Sequence, residues 1–363
     1  MKRASAIGVV LVLAVLLRAT GAAADDPDDA YLAGYAAAVL ERELGLEADT
    51  LQVEDGVLIL RVPDLDDTER ARLAETLATI PSLRRVRILG PDEQPPPGAN
   101  LAGGPTESSW QLVPPGDLFD PLLADPRWPH FSATYQRYVR SGDELGNVAA
   151  VSFGDVIPLV RHRGPGETRW ELALHAAVFS IFDIDADSFD LINSDFMVGP
   201  ALNVRHGPLS GMLRLYHQSS HLGDEFLLRR DTDRINLSYE AADALLSWRP
   251  AAWLRLYGGG GMLLRREPAD LERASLQAGA EIESPRAWAG GLLRPVFALD
   301  VQSRQENDWD LDLSARLGVQ VESPHLAGRR LQILLDYFQG RSPNGQFFDR
   351  EIEYWALGAH LHF

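Results

Sequence analysis

Between Tyr216 and Phe226 the sequence reads YHQSSHLGDEF, which places two histidines, two serines and two carboxylates within eleven positions. On a strand, His217 and Ser219 share a face because they are two residues apart. An imidazole base beside a hydroxyl is the minimum for acyl-ester cleavage, provided a third polar group orients the ring. Asp231 and Asp233 have the parity for that third role if Ile235, Leu237 and Tyr239 face lipid; Asn236 would point the other way unless a bulge intervenes. A second chemistry is metal or headgroup binding. His217, His221, Asp224 and Glu225 form a donor set for a divalent cation such as Ca²⁺. Asp183, Asp185 and Asp187 in DIDADSFD add carboxylates nearby, although that run lacks the glycine and distal glutamate of an EF-hand. A third reading is an interfacial belt of polar residues held by structural hydrogen bonds.

The strand that must position this cluster reads PLSGMLRLYHQSSH. Leu209, Gly211, Leu213 and Leu215 share one face, and Ser210, Met212, Arg214, Tyr216 and Gln218 the other. Continuing the alternation puts His217, Ser219 and His221 on the apolar side, at the end of the strand. Polar groups on a lipid-facing wall are costly unless they sit near the interface.

The same alternation runs from about Phe131 to Phe363. In LDLSARLGVQVE, Leu311, Leu313, Ala315, Leu317, Val319 and Val321 oppose Asp312, Ser314, Arg316, Gln320 and Glu322. In ASLQAGAEIE, Gln277, Glu281 and Glu283 oppose Leu276, Ala278, Ala280 and Ile282. So many charges on one face of long strands point to a barrel with a polar interior and lipid outside. We expect a mainly β fold, an antiparallel transmembrane β-barrel of about twelve strands. The strands start near Phe131, Asn147, Thr168, Asn193, Pro208, Thr232, Ala251, Glu272, Gly291, Trp309, Gly328 and Glu351. An even count returns both barrel ends to one side. Short turns are expected at RHGP near Arg205 and at Arg249-Pro250. Glu171, Arg214, Glu240, Arg255, Arg316 and Asp336 are expected as lumen salt bridges.

The remaining chain organises around that barrel. Residues 1–24 read as a secretory signal, with Lys2 and Arg3, an apolar run and Ala22-Ala23-Ala24. Absence of cysteine excludes disulfides and thiolate metal sites. No later apolar run is long enough for a spanning helix. A net charge of −18 argues against nucleic acid as a partner. Residues 29–90 carry an α-β-β-α-β pattern, with Tyr31, Tyr35, Val39 and Leu40 at helical spacing. Residues 91–127, rich in proline and glycine, read as a linker to a barrel over 128–363.

Four resemblances add to this. DGVLILRVPDLDDTERARLAETLATIPSLRRVRIL resembles the BON domain of osmotic-stress and nodulation proteins, with Ser82-Leu83 where that family has Gly-Val; the resemblance implies a small periplasmic domain and an association with phospholipid surfaces. HQSSH resembles the His-x-Ser-Asn core of outer-membrane phospholipase A and of the lipid A 3-O-deacylase, with Ser220 in place of Asn. That likeness implies a serine acyl-ester hydrolase acting on outer-membrane lipid, lipopolysaccharide or phospholipid, with His217 as base and Ser219 as nucleophile. The ending YWALGAHLHF resembles the sequence read by the outer-membrane assembly machinery. With RINLSYE and YHQSSHLGDEF, it also resembles the family called domain of unknown function 1207, which implies an outer-membrane barrel and no particular activity. The alternatives to a hydrolase are a structural or headgroup-binding barrel, or a narrow porin.

Overall fold

The computed structural model describes all of the chain except residues 1–31, 34–35, 38, 41–50, 55–56, 63–66, 79, 81–82, 84, 91–108, 115, 142–144, 165–167, 230–233, 324–325 and 327–328. The expected signal peptide therefore lies outside the described residues. The chain divides into two compact units. In the first, strands β1 (Leu51–Glu54), β2 (Val57–Arg61) and β3 (Arg85–Leu89) form one sheet, and helix α1 (Asp67–Ala78) separates β2 from β3. The β1–β2 pair is antiparallel and the β2–β3 pair parallel, as a helical crossover requires. Leu58, Leu60, Leu73 and Leu77 are fully buried there.

The second unit is a closed antiparallel barrel. A short strand β4 (Ser109–Leu112) precedes it. Its twelve staves are β5 (Phe131–Arg140), β6 (Asn147–Arg163), β7 (Thr168–Asp183), β8 (Asp190–His206), β9 (Leu209–Leu222), β10 (Ser238–Ala251), β11 (Leu254–Glu267), β12 (Ala274–Glu283), β13 (Leu293–Arg304), β14 (Leu311–Val321), β15 (Arg330–Arg341) and β16 (Glu351–His362). Each pairs with its neighbours in sequence, and β16 closes the ring on β5, with Leu361 opposite Phe131. The short turn after β10 is Ala252-Trp253; Arg249-Pro250, expected as the turn, lies within the strand.

Burial is inverted relative to a water-soluble protein. On β14, Asp312, Ser314, Arg316 and Gln320 are buried, while Leu311 and Leu317 are exposed. Leu313 and Leu361 have the same outward parity, and Arg214 and Asp336 are buried inside. Only a wall with lipid outside reconciles that pattern with the hydrophobic effect. Exposed Trp170, Trp248, Trp253 and Trp288 ring the end where β5 starts and β16 finishes, here called the near end. Trp309 and Trp355 stand towards the far end, as in interfacial aromatic girdles.

The lumen is largely filled, leaving a polar cavity of about 180 Å³ among Arg127, Arg214, Tyr216, Gln277, Gln302 and Arg304. The linker expected to reach residue 127 does not stay outside: β4 pairs with β6, and the chain from Gly116 to His130 turns into the barrel. Leu118, Phe119, Leu122, Leu123 and Trp128 are each almost completely buried there. This segment has no regular ladder, so its backbone must be satisfied by wall side chains. Arg255 donates to the carbonyls of Asp120 at 2.8 Å and Pro121 at 2.7 Å, and Arg316 to that of Leu123 at 2.6 Å. Glu171 accepts from the Leu118 amide at 3.1 Å and Glu281 from the Leu123 amide at 2.7 Å. The Asp120 side chain pairs with Arg205 at 2.8 Å and Arg249 at 3.1 Å. The lumen charges also pair with one another, Arg255 with Glu281 at 3.0 Å and Arg214 with Asp243 at 2.6 Å. At the far end an apolar cluster that includes Tyr138, Ile192, Phe226, Phe338 and Phe347 packs across part of the bore; Phe226 comes from helix α2 (Asp224–Arg229) in the β9–β10 loop.

Arg255 holds both plug and wall, so Arg255→Met should lower stability by roughly 3 kcal/mol, because Glu281 keeps its buried charge without its cation. Urea unfolding in detergent micelles, followed by tryptophan fluorescence, measures it. Removal of residues 116–127 should create ion conductance in planar bilayers where the intact chain shows none.

Candidate functional site

On β9 the burial alternates as the sequence reading requires up to the polar cluster. Leu209, Leu213 and Leu215 are exposed on the outer wall, and Ser210, Met212, Arg214 and Gln218 are buried inside. No bulge interrupts the pairing of β9 with β10, so His217 and Ser219 keep the outward parity. The two side chains share a wall near the far end, with Val198 and Phe196 of β8 opposite them on one flank.

The partner of His217 is Glu240. The two residues stand directly opposite on β9 and β10, and His217 Nδ1 lies 3.1 Å from Glu240 Oε1. An ionised carboxylate only accepts hydrogen bonds, so Nδ1 is the donor in this pair, and in the neutral ring that tautomer leaves the Nε2 lone pair free. Both side chains are partly open, 44% and 40% exposed. Ser219 faces Ser238 across the same pair of strands. No hydrogen bond joins the His217 ring to the Ser219 hydroxyl among the described residues. On the next strand, Arg265 stands opposite Glu240, with Nη1 at 3.8 Å from Oε1. Three strands thus present His217, Glu240 and Arg265 in one row across the outer wall.

The expectation that Glu240 is a lumen charge is corrected, while Glu171, Arg214, Arg255, Arg316 and Asp336 do face the lumen. The sequence reading anchored the parity of this segment on Ile235, Leu237 and Tyr239. However, Leu237 is buried and Tyr239 meets Tyr216 inside the barrel, their ring centroids 6.2 Å apart. Counting back from the exposed Leu246 and Trp248 instead gives Glu240 an outward position. Asn236 is exposed in the segment before β10, and the hydrogen-bond partner of His217 among the described residues is Glu240 instead. Asp231 and Asp233 lie outside the described residues.

Among the described residues no three His, Asp or Glu side chains gather as a cation would need. His221 stacks edge-on to Phe196 at 5.7 Å, while Asp224 and Glu225 begin helix α2 as exposed residues. Asp185 is occupied as an acceptor, taking the amide and side chain of Asn147 at 2.9 and 2.7 Å.

Behind the outer wall the end of β9 is clasped by the loop between β15 and β16. Gln346 Nε2 donates to the carbonyls of Ser220 at 3.0 Å and Ile235 at 2.8 Å, and its Oε1 accepts from the Ile235 amide at 3.1 Å. The Gly345 amide donates to Asp195 at 2.9 Å, and Ser220 Oγ donates to Asn193 at 3.0 Å. A Cβ at Gly345 would stand 2.7 Å from Ser220 Cβ, so only glycine lets the loop lie this close. Ser220, where the resemblance has an asparagine, is therefore an inward structural residue.

The family described as "Protein of unknown function (DUF1207)" matches residues 43–363. No curated protein matches the sequence. Among solved structures, outer membrane phospholipase A from Escherichia coli is 10% identical with a TM-score of 0.46, covering 67% of this chain and 93% of that one. LpxR from Salmonella typhimurium is 10% identical with a TM-score of 0.36, covering 64% and 99%. The beta domain of the Bordetella autotransporter BrkA is 14% identical with a TM-score of 0.35, covering 65% and 97%. At these identities the likeness is one of fold, and no residue's role is taken from it.

The Gln346 clasp has a measurable consequence. Gln346→Ala leaves the Ile235 amide and two carbonyls without their partner, which should cost about 1–3 kcal/mol. Hydrogen exchange should accelerate around Ile235 and Ser220 and stay unchanged on β12 to β14.

Proposed function

We propose, for a chain that belongs to the DUF1207 family of proteins of unknown function, that it is an outer-membrane β-barrel that cleaves acyl esters of membrane lipid at the headgroup level. Ser219 is the nucleophile, His217 the base and Glu240 the residue that orients the imidazole. The observation that carries this reading is the 3.1 Å contact of His217 Nδ1 with Glu240 on the outer wall, two residues from an outward serine. A carboxylate at Nδ1 fixes the tautomer that leaves Nε2 as the base.

The chemistry follows from those three groups. A rotation of the His217 or Ser219 side chain closes the hydrogen bond between Nε2 and the hydroxyl, a contact that tightens when substrate is in place. Ser219 Oγ attacks the acyl carbonyl while Nε2 takes its proton, and the imidazolium so formed is held by Glu240. Collapse of the tetrahedral adduct expels the lipid alkoxide, which receives the proton from His217 and leaves as an alcohol. Water, deprotonated by the same nitrogen, then splits the acyl-serine and releases a fatty acid, restoring the hydroxyl. The substrate reaches this site from the bilayer, so the lumen has no part in the route.

The plug bonded across the lumen weighs against a porin. An even strand count puts both barrel ends on one side, the periplasm, to which the N-terminal unit belongs on this reading; its topology is compatible with a BON-like domain. The far end is then the outer leaflet. Trp355, Leu357, Ala359, Leu361 and Phe363, alternating on β16 and just beyond it, are the residues offered to the assembly machinery.

The test is fatty-acid release from phospholipid and from lipid A by the purified chain in detergent, with and without Ca²⁺. Ser219→Ala and His217→Ala should abolish release, and Glu240→Ala should lower kcat by about 10² or more. A fluorophosphonate should label the intact chain at Ser219 and leave Ser219→Ala unlabelled. Unchanged release from Ser219→Ala, or a fold with no release from any ester, would leave a structural polar belt as the role of the cluster.

A further inference from the structure

Arg265 breaks the pattern of its neighbours. At the far end of β11 it faces outward beside Glu240 and is 85% exposed. The adjacent arginines are tied into the protein: Arg266 donates to the Ala269 carbonyl at 2.8 Å, and Arg273 to the Leu263 carbonyl at 3.2 Å. None of the Arg265 guanidinium N–H groups donates to a protein group among the described residues. The Glu240 carboxylate oxygen beside it is 3.8 Å away, beyond hydrogen-bond range. An ion pair this open holds a long side chain weakly. The row also places the guanidinium where charge is tolerated. A bulge in β11 follows this pair, and membrane-ward of it the wall is Ala242 on β10 with Leu264 and Met262 on β11, the last two exposed. A cation just above such a surface is stable only among headgroups.

We infer that Arg265 binds the phosphate of the lipid whose acyl ester Ser219 attacks, and so selects phosphate-bearing lipids. The inference rests on the hydrolase reading for its substrate, and on the geometry of the row for its chemistry. A guanidinium offers a planar fork of donors that matches two phosphate oxygens. β11 is two strands from β9, about 10 Å at ordinary strand spacing, and an arginine spans much of that distance. The phosphate of a glycerolipid is a few bonds from its acyl esters, as is the phosphate of an acylated sugar. A headgroup held by Arg265 therefore leaves an ester over Ser219 and the acyl chain against Ala242, Ala244 and Gly260. Glu240 holds the unliganded guanidinium loosely on this side of the barrel.

Binding separates this role from turnover. In the Ser219→Ala chain, which cannot form an acyl-enzyme, short-chain phosphatidylglycerol, lipid A and the matching diacylglycerol are titrated in detergent. Arg265→Gln should weaken the binding of at least one phosphate-bearing lipid about tenfold, and that of diacylglycerol less than about twofold. The phosphate lipid that loses more identifies the source. Arg265→Lys should recover part of the affinity, which a misfolded wall would not allow. In the Ser219 chain the effect should fall on KM rather than kcat. Equal weakening for diacylglycerol, or no weakening for either phosphate lipid, would overturn the inference. If the contrast in binding holds while the intact chain releases no fatty acid, the hydrolase reading fails and phosphate recognition stands.

Discussion

The structure depends on satisfying the backbone of an irregular segment inside a barrel. Residues 116–130 enter the lumen without a ladder of their own, and every buried amide or carbonyl there needs a partner. The wall supplies them as charges at fixed heights: Glu171 for Leu118, Arg255 for Asp120 and Pro121, Glu281 and Arg316 for Leu123. Those charges would be costly alone. They are held because each also meets an opposite charge on a neighbouring strand or the plug. Plug and wall therefore specify each other, and the alternation of charge along the strands is a record of the segment they enclose.

The barrel was legible in the sequence because its signal repeats. Twelve segments alternate with period two, and single ambiguous residues do not alter the sum. β14 alone gives the face assignment, with Leu311 and Leu317 opposite Asp312 and Arg316. The plug was not legible. PPGDLFDPLLADPRWPHF has no periodicity, and its partners are up to 230 residues away, as in His130 to His360. Proline and glycine marked it as a loop, which it is, but did not say that the loop turns inward.

The site was legible in part, and the boundary is informative. His217 and Ser219 lie on a strand whose apolar residues fix the parity without ambiguity. Glu240 lies just inside a strand that begins at Ser238, after a segment of mixed character. Tyr239 and Leu237 look like lipid-facing residues, yet one is a lumen aromatic and the other is covered by the β15–β16 loop. Parity is reliable only when counted from within a strand. Counted from the connecting segment, it assigned Glu240, the carboxylate that meets the histidine, to the wrong side of the wall.

The division of labour between the two faces follows from where water is absent. Inside, the plug excludes it, and polar groups are consumed in holding structure together. Outside, the apolar belt excludes it, and the three strands β9, β10 and β11 nevertheless carry a histidine, a carboxylate and an arginine in register. A row of this kind is unfavourable against hydrocarbon, and nothing in the lumen requires it, since the side chains point away. Among the described residues its members pair only with one another, at 3.1 and 3.8 Å, and remain open to the outside. Arg255 in the lumen is the opposite case, buried and bonded at once to a wall carboxylate, a wall hydroxyl and two plug carbonyls. The same kind of charge is therefore saturated inside the barrel and left with unused donors on its outer wall.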